Sequence, residues 1–352
     1  MDKALMKTSS GRFFEDFRLG EEIRHATPRT VTTGDVSLYT ALYGSRFAVQ
    51  SSDAFALAVG YPRSPVDDLL VFHIVFGKSV PDISLNAVAN LGYADGRFLQ
   101  PVYPGDTLSA VSEVIGLKEN ANGQTGIVYV RTRGLNQDGV PVLDYARWVM
   151  IRKRGKAASP EREHVPDLAK AVKPAALGQA CPAIDAAAWD DALAGSSHRW
   201  ADYRPGERID HMDGTTVEEA EHQIATRLYQ NTARVHFDGH AAIGTRFGRR
   251  LIYGGHVISH ARALTFQGLA GACHVAAINA GRHVAPLFAG DTIYAWSEVL
   301  ERAELPGRDV GALRLRTVAT KDQPCAAFPG RTAEGYDPCV ILDLDYWVLI
   351  VR

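Results

Sequence analysis

His236 is the residue of this 352-residue chain best placed, by type and context, to move a proton. It closes the segment Leu228-Tyr-Gln-Asn-Thr-Ala-Arg-Val-His236, and an earlier stretch, Leu42-Tyr-Gly-Ser-Arg-Phe-Ala-Val-Gln50, runs parallel to it. Between the two, Ser45 becomes Asn231 and Gln50 becomes His236. A side chain that bonds but cannot titrate is thus replaced by imidazole, the group best matched to acid–base work near neutral pH. Two patterns, His236-x3-His240 and His256-x3-His260, have the four-residue spacing of a zinc-binding helix. Neither is completed by the Glu or Cys such a helix uses, so no metal is expected. Gly244-Thr-Arg-Phe-Gly-Arg-Arg250 has the wrong glycine spacing for a phosphate loop and lacks its Lys-Ser/Thr pair.

The parallel extends across the chain. Phe14-Glu-Asp-Phe-Arg-Leu-Gly-Glu-Glu-Ile-Arg-His25 returns as Trp200-Ala-Asp-Tyr-Arg-Pro-Gly-Glu-Arg-Ile-Asp-His211, an offset of 186. Pro104-Gly-Asp-Thr-Leu108 returns as Ala289-Gly-Asp-Thr-Ile293 at an offset of 185, with Asp106 and Asp291 suited to turns. This period is too long for a solenoid. It divides the chain into two homologous domains, 1–154 and 198–352, joined by a linker at 155–197. The linker is rich in Ala and Pro and carries the charged run Glu161-Arg-Glu-His164, which suits a surface connection between units with separate cores.

Each copy orders its elements alike: an extended lead-in, an amphipathic helix, a second helix, then antiparallel strands such as Gly126–Thr132. That order indicates an α+β fold. In the second copy Thr216-x-x-Glu219 reads as a capping box, with Ala220, Ile224 and Leu228 following on one face. The second helix is expected over about Val257–Leu269, and its counterpart from about Val75, an alignment that sets Gly254-Gly255 against His73-Ile74. Asp35 is expected to serve a helix start, and Trp148 and Trp347 the core.

The balance of 38 basic and 40 acidic residues, net charge −2, argues against a nucleic-acid binder. No apolar run is long enough for a membrane helix, and Met1–Arg12 lacks the apolar centre of a secretory leader. Cys181, Cys273, Cys325 and Cys339 are scattered like the reduced thiols of a cytoplasmic protein.

The Asn231–His236 segment resembles the Gly-Asp-x-Asn-Pro-x-His motif of the MaoC-like, R-specific enoyl-CoA hydratases, and Phe98-Leu-Gln-Pro-Val-Tyr-Pro-Gly-Asp-Thr-Leu108 resembles that family's strand motif. The strings Arg227–Phe237, Arg246–His256, Leu70–Gly77 and Pro81–Asn86 resemble most closely a branch that interconverts mesaconyl-CoA and β-methylmalyl-CoA. The resemblance implies a tandem hotdog, each unit an antiparallel sheet wrapped around a long central helix. It also implies a hydro-lyase acting on an acyl-CoA, with no cofactor beyond the CoA of the substrate, and assembly into a homo-oligomer such as a dimer or trimer. The motif's Asp is here Asn231, its Asn is Ala233 and its Pro is Arg234. Asn231 can hold a water but cannot take its proton, which leaves His236 as the titrating group. Five residues apart on a continuous helix the two would diverge by about 140°, so the helix must break near Asn231-Thr232. Gly255 is the expected backbone donor to the thioester carbonyl, since glycine permits close approach and a helix N-terminus stabilises negative charge. The substrate's free carboxylate calls for a cation; Arg234 is the candidate, against simple solvation or pairing with Asp238. Tyr229, Arg282 and Lys78 complete the expected substrate contacts, the last two as weak candidates for the CoA phosphates. The alternative is a hotdog thioesterase using Glu221 or Asp238. A non-enzymatic CoA-binding module is a further reading, disfavoured by His236 and Gly255.

Overall fold

A computed structural model describes residues 7–155 and 163–352, so Met1–Met6 and part of the connecting segment, Glu161 included, lie outside the described residues. Among the described residues eleven strands form one antiparallel sheet. The first half contributes β1 (Glu22–Thr30), β2 (Ala87–Phe98), β3 (Thr107–Glu119), β4 (Thr125–Leu135) and β5 (Pro141–Arg152). The second contributes β6 (Arg208–Asp210), β7 (Thr215–Thr216), β8 (Ala272–His283), β9 (Thr292–Glu304), β10 (Val310–Lys321) and β11 (Val340–Val351). The first half is ordered β1-β3-β4-β5-β2 and the second β8-β11-β10-β9-β6, with β7 also on β9. The halves therefore share one topology and meet where β2 pairs with β8, Ala94 opposite Ala280 and Gly96 opposite Ile278.

Each half wraps its sheet around a helix. Asp68–Ser79 is buried at every position, which explains why its sequence, Asp-Leu-Leu-Val-Phe-His-Ile-Val-Phe-Gly-Lys-Ser, shows no polar face. Its counterpart is Gly254–Leu264. Both begin earlier than the sequence suggests, and Phe266–Leu269 is a separate turn broken at Gln267 and Gly268 rather than the end of the second helix. The capping box also lies two residues later than Thr216/Glu219: Glu221 accepts from the Glu218 N–H and the helix runs Glu219–Leu228. In the first half Asp35 caps Thr33–Tyr43 from Thr32, as expected of a helix-start carboxylate.

The helices meet across the pseudo-twofold axis through residues 186 apart: Tyr43 and Tyr229 share a hydroxyl hydrogen bond, and His73 Nε2 lies 2.9 Å from Ser259 Oγ. This pairing corrects the alignment at the helix starts. Gly254-Gly255 corresponds to Asp68-Leu69, not to His73-Ile74.

The two units do not have separate cores. One apolar cluster takes in Phe72, Val75 and Tyr145 of the first half together with Tyr229, Ile258 and Val348 of the second. Nor does the connection merely cross the surface: Val172, Leu177, Cys181, Ile184 and Trp189 are buried with Trp347, Leu349 and Val351. These alternate with Tyr346, Val348 and Ile350, which face the central helices, so the connection covers the outer face of the second half. Trp347 donates to the Val172 carbonyl at 3.1 Å, whereas Trp148 is only partly buried and stacks on Tyr129.

Candidate active site

The helix Glu219–Leu228 stops because the chain cannot continue straight past the first half. Gly77, on the neighbouring central helix, approaches so closely that a Cβ there would lie 1.9 Å from the Tyr229 carbonyl oxygen. Arg29 donates to the Leu228 carbonyl, and Lys78 to the Thr27 carbonyl and, at 3.4 Å, to the Gln230 side chain. Gln230 then takes a positive φ of 53°. Asn231 follows, its N–H bonded to the Thr226 carbonyl at 2.9 Å and its Oδ1 accepting the Ala233 N–H at 3.1 Å. That local turn opens the short helix Arg234–Phe237, which carries His236. The break required by the five-residue spacing is present, and the other half of the molecule imposes it.

His236 is half-buried. Its Nδ1 lies 2.9 Å from the Leu251 carbonyl, which can only accept, so Nδ1 carries the proton and Nε2 the lone pair. Gln223 holds the same residue from behind by donating to its carbonyl at 3.0 Å. Burial depresses its pKa to about 4, against the opposing effect of the Leu251 carbonyl. The imidazole is therefore a neutral base at pH 7.

Opposite stands the start of the helix Gly254–Leu264. Its preceding residue, Tyr253, provides no side-chain cap, and its own N–H donates to His222 Nε2 at 2.9 Å. The first N–H groups of a helix have no partner within it. Among the described residues nothing takes those of Gly254 and Gly255. Side chains are excluded at both: a Cβ on Gly255 would come within 2.4 Å of the Tyr253 ring and 2.6 Å of His73, and one on Gly254 within 2.3 Å of the His283 ring.

His283 completes the constellation, and the sequence reading missed it. It ends β8, its Nε2 lies 3.3 Å from the Tyr93 hydroxyl of the first half, and burial followed by the nearby His236 lowers its pKa to about 4. Gly77 was missed too, although a glycine within a long apolar helical run is a readable signal of close approach.

The other expected residues sit elsewhere. Arg234 is exposed and has no ionic tie to Asp238, whose Oδ1 instead accepts the Ala241 N–H at 2.9 Å. Tyr229 is buried in the interhelical network, its ring 4.6 Å from that of His73. Lys78 is buried and turned to the helix break, while Arg282 is exposed, 6.0 Å from the Tyr336 ring. His256 and His260 lie with their Nε2 atoms 3.1 Å apart, and His256 Nδ1 is 2.7 Å from the Tyr43 hydroxyl, so this pair belongs to the core. Among the described residues no three His, Cys, Asp or Glu side chains are grouped to hold a metal.

A family model described as mesaconyl-CoA hydratase matches residues 1–334. The chain belongs to that family. It is 62% identical over 348 residues to the β-methylmalyl-CoA dehydratase of Chloroflexus aurantiacus, covering 98% of this chain and 99% of that one. It is 60% identical over 349 residues to the mesaconyl-CoA hydratase of Cereibacter sphaeroides, covering 99% and 100%. A structure from Chloroflexus aurantiacus described as a MaoC-domain dehydratase superposes with a TM-score of 0.96 at 62% identity over 99% of both chains. A Mycobacterium tuberculosis protein described as a double hotdog superposes at 0.72, with 25% identity over 97% of this chain and 98% of that one. The fold is the tandem hotdog. Membership of the mesaconyl-CoA hydratase family makes the chain a hydro-lyase. No helix among the described residues is long and apolar enough to cross a membrane.

Proposed function

We propose that this chain adds water reversibly across the double bond of mesaconyl-CoA, giving β-methylmalyl-CoA, at the site built around His236. The observation that carries the reading is a neutral imidazole with a free Nε2, set in the same half as a helix start whose first N–H groups are open. The thioester carbonyl accepts from Gly255. Asn231 and His236 hold a water; Nε2 takes its proton as the oxygen bonds to the β-carbon, and the alkene electron pair moves through the α-carbon onto the thioester oxygen. The open N–H groups, preorganised at the helix N-terminus, stabilise the enolate. The His236 imidazolium then returns the proton to the α-carbon, and dehydration is the same path reversed. His283 is the second imidazole available for that transfer. The CoA phosphates meet the exposed guanidinium groups of Arg246, Arg249 and Arg282, and not the buried Lys78. Four thiols, none in a disulfide, suit a cytoplasmic enzyme.

The thioesterase alternative needs a carboxylate beside the thioester carbon. Glu221 and Asp238 are both engaged as helix caps. One pair of assays tests the choice: ultraviolet loss of the conjugated thioester against release of CoA thiol. His236→Ala is expected to lower hydration by about 10²–10⁴-fold, and no thiol release is expected from the parent. Hydration at the parent rate by His236→Ala overturns the mechanism, and thiol release matching absorbance loss overturns the reaction.

A further inference from the structure

The hydratase reading gives the substrate a free carboxylate, and Arg234, the partner expected for that anion, is exposed to solvent. A different guanidinium meets the requirement. Arg147 lies in the middle of β5, opposite Tyr93 of β2 and Val130 of β4, with none of its surface exposed. It lies 4.2 Å over the Phe76 ring. Nη2 donates to Ser79 Oγ at 2.8 Å, weaker contacts at 3.4 and 3.5 Å reach Ser84 Oγ, and Nε has no partner. Among the described residues no carboxylate pairs with it; the groups that oppose the downward pull of burial on its pKa are the hydroxyls of Tyr145, Tyr93 and Tyr253. The other buried cations have acceptors or carboxylates beside them, Lys78 donating to the Thr27 carbonyl and the Gln230 side chain. Lys153 is paired with Glu119, and Arg262 lies in the field of Asp67 and Asp68. A buried charge without a counter-ion is unfavourable.

Its position is equally specific. The facing Tyr93 reaches His283 through its hydroxyl, and Phe76 packs on Tyr253 with ring centres 5.7 Å apart. Tyr253 immediately precedes the open helix start and lies 5.5 Å from His236. The rings of Tyr93, Phe76 and Tyr253 therefore line the way from Arg147 to the reacting groups. In the second half Tyr346, before Trp347 as Arg147 is before Trp148, occupies the corresponding place.

Building on the hydratase reading, we infer that Arg147 is the receptor for the free carboxylate of the substrate, gripping it side-on through Nε–H and Nη–H at the inner end of the site behind Tyr93. The unbonded Nε is the half of that fork that Ser79 and Ser84 leave open. Seating Arg147 on a strand fixes the distance between carboxylate and thioester, and so selects a dicarboxylic enoyl-CoA over a simple one.

The test compares kcat/KM for mesaconyl-CoA and crotonyl-CoA, which lacks the carboxylate, in the full chain and its variants. Arg147→Met is expected to lower the mesaconyl-to-crotonyl ratio by about 10²-fold or more, with no fall in the ligand-free melting temperature, because an unpaired buried charge is removed. A ratio within threefold of the parent overturns the role, as do parallel losses on both substrates. Should Arg147→Met fail to fold, Arg147→Lys keeps the charge and loses the fork; a tenfold fall in the ratio supports the role and an unchanged ratio overturns it. A parent enzyme that hydrates crotonyl-CoA but not mesaconyl-CoA overturns the substrate reading itself, an outcome visible before any variant is made.

Discussion

The two halves put equivalent residues to opposite uses. At the start of the first central helix, Asp68 stands where the second has Gly254, and its carboxylate accepts the Val275 N–H at 2.9 Å and lies 3.0 Å from His274 Nδ1. Gln50 stands where the second half has His236, and its amide donates to the Cys273 carbonyl at 2.6 Å. In the first half, side chains reach across to β8 and satisfy its backbone. In the second, glycine leaves two N–H groups open and an imidazole leaves a lone pair open. One scaffold thus yields a bolt or, in the proposed mechanism, a reaction site according to whether its polar groups are satisfied internally, and unsatisfied groups are where a substrate can contribute binding.

The largest effect should separate His236 from Gln50. Where His236→Ala loses about 10²–10⁴ in turnover, Gln50→Ala should stay within about threefold of the parent at 25 °C, measured by the ultraviolet assay. Equal losses would show that the halves contribute alike. Gly255→Ala comes next. The added methyl meets two rings at 2.4 and 2.6 Å and must displace the helix start from the carbonyl it serves. A loss of about 10²-fold in kcat is expected, the scale of a missing oxyanion donor. Leu69→Ala, at the corresponding position of the first half, should cost stability and spare turnover.

A third comparison uses acid. Since burial holds His236 near pKa 4, it remains a base well below neutrality. Activity should therefore be nearly flat from pH 7.5 to 5.5, where an unshifted histidine would lose about tenfold. Stability follows with the same sign. His73, His211, His222, His236, His256, His260 and His283 are all depressed by burial, so the unfolded chain binds more protons as pH falls below about 6.5. Stability present above that pH is lost towards pH 4, on the order of 1 kcal/mol per pH unit for each histidine. A melting temperature flat between pH 7 and pH 4.5 would contradict this.

What the sequence disclosed depended on where the information lay. The duplication, the strands and the place of His236 were legible because the copies align at offsets of 186 and 185 and differ at a titratable position. The helix break was legible because two side chains five apart cannot share a helix face. His283 was not, since it ends a strand and meets Tyr93 of the other half only in the fold; the setting of Arg147 was hidden likewise, being made by Phe76, Ser79 and Tyr93 from distant parts of its own half and by Tyr253 of the other. The central helices were placed late for a different reason. Buried on every side, Asp68–Ser79 has no periodic polar face to mark its start, and Asp67-Asp68 shares no letter with Tyr253-Gly254. The connection was misjudged because its alanines and prolines suit a surface segment, while its few large apolar residues find their partner only on the outer face of the second half.

The smallest effect on turnover should come from loosening the first half's bolt. Burial opposes charge on His274, yet the Asp68 carboxylate, helped by Cys181 and Asp67, raises the pKa to about 9. The pair therefore adds stability that is complete below the unfolded value of about 6.5 and is lost as pH rises through 9. Asp68→Asn keeps the size and an acceptor for the Val275 N–H but removes the charge that keeps His274 protonated. The variant should melt lower at pH 7, by on the order of 3 kcal/mol of stability, and lose the alkaline slope seen in the parent. Its turnover at 25 °C should stay within about threefold, since Asp68 contacts none of the groups assigned to the reaction. A large fall in turnover with an unchanged melting curve would mean that the first half does more than hold the second in shape.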